Sequence, residues 1–162
     1  MFNKNHQAFT MVELIFVIVI IGILAAVAVP KLAATRDDAY GAICTENSQR
    51  ILIEITASYA RNGYTKFSDL GIGSISSMST NVTVGNGISD PPDRKVKEGI
   101  TVLCDGTPLL YLKGFTVAGD YNITVTDLAP TEPPAVFIAA ENIRAIHSIT
   151  SPGGFFIYSL TD

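Results

Sequence analysis

"FTMVELIFVIVIIGILAAVAVPKL", residues 9–32, is the stretch on which the reading of the whole chain turns. From Met11 to Val29 every side chain is apolar or glycine except one, Glu13. At about 1.5 Å per residue, a helix of that length covers about 28 Å, close to the thickness of a bilayer's hydrocarbon core. A carboxylate near the head of such a run costs about 2.5–3.5 kcal/mol on insertion scales. Two ordinary readings compete for the segment. One is a cleaved secretory signal, with Lys4 as its basic start, residues 14–24 as its apolar core and Ala26-Val27-Ala28 as a small-residue site. The other is a plain uncleaved anchor. Neither gives Glu13 a purpose. Lys4 precedes the run, while Lys31 and Arg36 follow it beside Asp37 and Asp38. The charge bias is nearly flat and does not orient the segment.

The remaining composition excludes several classes. The chain has 162 residues, 11 Lys and Arg against 15 Asp and Glu, and a net charge of −4. Its cations are scattered, so it lacks the basic stripe of a nucleic-acid surface. Beyond Lys31 the sequence reads as an ordinary domain rich in Gly, Ser, Thr and Pro, with no internal repeat.

Residues 31–61 continue as helix. Tyr40, Cys44, Ile51, Ile55 and Tyr59 recur near i+4 and i+7 as one apolar stripe, interrupted by Asn47. Asp38, Glu46, Gln49 and Arg61 fall on other faces, Glu46 and Arg50 stand at an i,i+4 spacing, and Asn62-Gly63 is a stop signal. From Phe9 to Arg61 the helix would measure about 80 Å. Residues 68–99, dense in Gly, Ser, Asn, Asp and Pro, read as loop with at most one short strand, at 81–84. Residues 100–104, 109–117 and 121–126 have strand composition, and Ala118-Gly119-Asp120 joins the last two as a hairpin. Pro130 to Pro134 breaks the pattern, 136–146 reads as a short helix and 154–160 as a final strand. The expected class is α+β: a long helical spine packed on a small antiparallel sheet.

Cys44 lies on the helix stripe and Cys104 ends a strand. In an oxidising compartment a bridge would staple helix to sheet across a loop of about 60 residues, worth roughly 4 kcal/mol in the chain-entropy model; the alternative is two buried thiols that never meet. The pair is not a metal site, since no further Cys exists and His147 is isolated. Phosphate-cradling Gly loops, His–Glu zinc signatures and Gly-x-Ser-x-Gly elbows are all missing. Asp90, Asp93, Asp105 and Asp120 are candidate calcium ligands, but their spacing matches no calcium-loop pattern, and a solvated loop is the simpler reading. No cofactor is expected.

A short polar leader, then Ala8-Phe9-Thr10-Met11-Val12-Glu13 and an apolar run ending in Val29-Pro30-Lys31-Leu32, resembles the N-terminus of type IV pilins and type II secretion pseudopilins. The resemblance covers about a quarter of the chain, residues 4–40. It implies a leader of residues 1–8, a transmembrane and assembly helix at 9–30, the amphipathic second half of the spine at 31–63, and a periplasmic domain at 64–162. It further implies cleavage between Ala8 and Phe9 by a prepilin peptidase, N-methylation of Phe9, and weakening of the helix at Gly22 and Pro30. Ala8 departs from the family's usual Gly, and the leader has a single basic residue, Lys4. For Glu13 the resemblance implies an ion pair with the Phe9 amine of a neighbouring copy inside a filament; pairing with the chain's own amine is the local alternative. Pro30 removes a donor to the carbonyl of Ala26, and Gly22 costs up to about 1 kcal/mol relative to Ala, so the two bracket a segment able to kink. Both are also tolerated in ordinary membrane helices.

The expected protein is therefore structural rather than enzymatic: a bacterial inner-membrane, single-pass subunit that polymerises through its helix. Its expected partners are membrane lipid, the peptidase, inner-membrane assembly machinery, copies of itself and other pilin-like subunits. A secretion pseudopilus is favoured over a type IV pilus or DNA-uptake pseudopilus, because the domain is short and neither Cys belongs to a C-terminal pair. The alternative is a membrane-anchored periplasmic binding or adhesion module that does not polymerise.

Overall fold

The computed structural model describes residues 9–78, 87–117, 120–149 and 153–160. The chain divides into two compact units, Met1–Arg36 and Asp37–Asp162. Helix α1, Met11–Phe67, contributes to both. In the first unit its apolar side chains are exposed, from Met11 at 79% to Leu32 at 70%. The helix runs through Gly22 and Pro30, with its non-helical backbone angles at Gly63 (φ 63°, ψ 168°).

Gly63 lies where Asn62-Gly63 predicts a stop, but the chain resumes helical form for one more turn, to Phe67. The positive φ suits glycine, and the extra turn is held by its burial: Phe67 is 1% exposed and meets Tyr59 and Tyr121 edge-on at 5.5 and 5.4 Å.

Among the described residues, five strands form one antiparallel sheet in the order β1-β2-β3-β4-β5. They are β1 (Gly87–Ile88), β2 (Ile100–Cys104), β3 (Thr107–Val117), β4 (Asp120–Asp127) and β5 (Phe155–Leu160). Sequential order and antiparallel pairing follow from short connections. Asp105 and Gly106, with φ of 48° and 75°, turn β2 into β3, the positive angles that a two-residue hairpin requires. Ala118 and Gly119 of the expected second hairpin lie outside the described residues, but Val117 pairs with Asp120 across it. Helix α3, Pro134–His147, begins at the last of the prolines, because a proline at the first helical position gives up an amide that would lack a partner anyway.

The expected loop at 68–99 is corrected in part. It contains a one-turn helix α2 (Ile72–Ile75), the strand β1 and a 3-10 turn (Val96–Glu98). Ile72, Ile75, Ile88 and Val96 anchor these in the core, so burial organises a stretch whose composition signals only turns. The strand expected at 81–84 lies outside the described residues.

In the second unit the buried residues of α1, α3 and one sheet face make a single core. Ile51 and Ile55 of α1, Leu110 and Leu112 of β3, Ile123 and Val125 of β4, and Val136, Ala139 and Ile143 of α3 all belong to it. Two details of the helix stripe are corrected. Tyr40 is 41% exposed and lies outside the core, whereas Gly41 is buried. A Cβ on Gly41 would come within 2.7 Å of Ile138 Cγ2 and 3.0 Å of the Ala135 carbonyl, so the absence of a side chain lets α3 approach. Arg50 pairs with Glu54 rather than Glu46, at 3.2 Å. Glu54 is held there by hydroxyls of Ser76 (2.5 Å) and Ser77 (2.6 Å) and by the Ser77 amide (3.1 Å). Burial pushes the Glu54 carboxyl upward, but these hydrogen bonds and Arg50 together bring it below its ordinary range.

Candidate functional site

The N-terminal segment is where sequence and structure meet most closely. Phe9 and Thr10 precede the helix, and the Thr10 carbonyl accepts the first helical bond, from the Leu14 amide at 3.2 Å. Thr10 is therefore the N-cap, and Glu13 is the third helical residue. The Thr10 amide and hydroxyl both donate to Glu13 Oε2, at 2.9 and 2.7 Å, and the Glu13 amide donates to Thr10 Oγ1 at 3.3 Å. This is a reciprocal capping box. It gives the carboxylate a local partner at the positive end of the helix dipole, which favours a negative charge there. Among the described residues, Oε1 of the same carboxylate accepts no hydrogen bond.

The capping role of Thr10 is what sequence reasoning missed, although its signal was present: Thr-x-x-Glu before an apolar run. Ala8 lies outside the described residues. Phe9 is 80% exposed. Behind Glu13, the apolar residues from Leu14 to Leu32 point outward on every side, with Phe16 at 66%, Ile23 at 63% and Val27 at 69% exposed. A Cβ on Gly22 would meet nothing within 4 Å among the described residues, so no packing there calls for glycine. By length and composition, α1 can cross a membrane.

A second constellation stabilises the other unit. Cys44 and Cys104 are bridged, with Cα atoms 5.6 Å apart and both side chains buried. The bridge closes a sequence separation of 60 residues and ties α1 to the end of β2. In the same unit, sequence reasoning had no means of finding the buried ion pair of Asp127 and Arg144. Asp127 is 1% and Arg144 9% exposed, and Arg144 Nε donates to Asp127 Oδ2 at 2.6 Å. The same carboxylate accepts from the amides of Ala129 (2.9 Å) and Gly153 (3.2 Å), and Glu141 takes a further Arg144 bond at 3.2 Å. The pair joins α3 to the end of β4 and to the turn entering β5. Seventeen residues apart in sequence, the two side chains follow no local pattern.

The acidic residues considered for calcium are dispersed. Asp90 accepts the Thr101 amide at 2.6 Å and faces Arg94 at 3.4 Å; Asp105 is in the β2–β3 turn, and Asp120 opens β4. Among the described residues, no group of three or more His, Cys, Asp or Glu is placed to hold a metal ion. His147 stacks on Phe156 with ring centroids 3.9 Å apart, and burial lowers its pKa.

No solved structure matches the chain. Residues 3–29, which include the capping box and most of the outward-facing apolar helix, match the family of the prokaryotic N-terminal methylation motif. This is the prepilin-type cleavage and methylation signal of type IV pilins and pseudopilins.

Proposed function

We propose that this chain is a structural subunit of a type IV filament. In this reading residues 1–8 are a leader, removed between Ala8 and Phe9 by prepilin peptidase, and Phe9 is then N-methylated. The helix over 9–30 first anchors the subunit in the inner membrane and then polymerises with copies of itself and related subunits. The domain beyond it lies in the periplasm, and the signal at 3–29 supports processing by that peptidase.

The observation that carries the reading is the state of Glu13. Its Oε2 is engaged by Thr10, while its Oε1 accepts no bond among the described residues. Cleavage would convert the Phe9 amide nitrogen into a cationic amine, the counter-ion that a carboxylate in hydrocarbon needs. Local capping and pairing with a neighbour's amine are therefore compatible, because they use different oxygens. Leaving the pair unmade in hydrocarbon would cost several kcal/mol, which gives assembly both a driving force and a register. Gly22 and Pro30 then serve as soft points when the helix leaves lipid. A secretion pseudopilus is the preferred filament, since the bridge joins α1 to the sheet rather than closing a C-terminal loop.

Glu13→Leu tests the reading. The variant is expected to insert and to keep its folded domain, yet to form no filaments, read as loss of the subunit–subunit cross-links that wild type gives in intact cells. Cross-links at wild-type abundance would overturn the role of Glu13. Mass spectrometry of the native N-terminus is expected to find methylated Phe9, and a chain beginning at Met1 or Val29 would contradict processing as a prepilin.

A further inference from the structure

We draw no further inference here: the strongest candidate, the shallow groove between α1 and α3 lined by Thr45, Glu46, Gln49, Asn142 and Ile146, carries nothing, because nothing in the structure shows what covers it.

Discussion

The two units of this chain use the same amino acids for opposite purposes. Ile18, Ile20, Ile21 and Ile23 are between 40% and 63% exposed, whereas Ile51, Ile55, Ile72 and Ile100 are all 0% exposed. Burying an isoleucine contributes about 1.5–3 kcal/mol, so the second unit holds its own stability. The first holds the same kind of surface unspent. Its hydrogen bonds are satisfied within the helix, and what it lacks is a surrounding medium, which lipid or other apolar helices can supply. The polar groups show the same division. Glu13 is capped at an exposed helix end, while Asp127 is sealed in with Arg144 and two amides. The lesson is that the stability of the domain is held separately from the exposed apolar surface of the N-terminal helix.

That separation can be broken or sharpened by substitution. The largest effect is expected for Asp127→Ala, which strips Arg144 of its main partner in a buried site and should destabilise the second unit by about 3–5 kcal/mol. Chemical denaturation in micelles would measure it, and Asp127→Ala with Arg144→Met should recover part of the loss, because the uncompensated charge goes too. Next comes a matched pair: Ile55→Ala is expected to cost about 2–5 kcal/mol by leaving a cavity. Ile21→Ala should leave the domain's unfolding midpoint unchanged, and equal losses would contradict the division into two units. Gly41→Val drives a side chain into Ile138 and the Ala135 carbonyl, and about 1–3 kcal/mol is expected from the overpacking, read as a lower unfolding midpoint.

The smallest effect is that of pH. His147, stacked on Phe156, has its pKa lowered by burial, so the unfolded chain binds the proton more readily than the folded one. Stability from this group is complete above the ordinary histidine value of about 6.5 and is lost as pH falls through that value toward the lowered one. The domain's melting temperature should therefore drop slightly between pH 7.5 and 5.5, and His147→Phe should flatten that slope.

Much of this was readable in advance, and the reasons are local. Met11 to Val29 is legible because nearly unbroken apolarity over membrane length has few physical solutions. The strands from 100 to 126, the helix near 136–146 and the last strand are legible because composition and turn residues punctuate them. The capping box of Thr10 and Glu13 went unread, although its Thr-x-x-Glu signal spans a single helical turn. The Asp105-Gly106 hairpin had its signal too, an Asp-Gly pair between two runs of strand composition. Residues 68–99 were not, because α2 and the 3-10 turn are too short to show a period and are held by Ile72, Ile75 and Val96 entering a distant core.

By itself, then, the sequence determined the apolar anchor, the helix that continues from it and the number of well-formed strands after residue 100, all set by interactions between residues a few positions apart. Only the tertiary structure decided that Arg144 meets Asp127, that Gly41 is the point where α3 closes on α1, and that β5 is left at an uncharged edge. Those outcomes depend on which surfaces meet when a chain collapses around one core, and no short window of residues encodes that meeting.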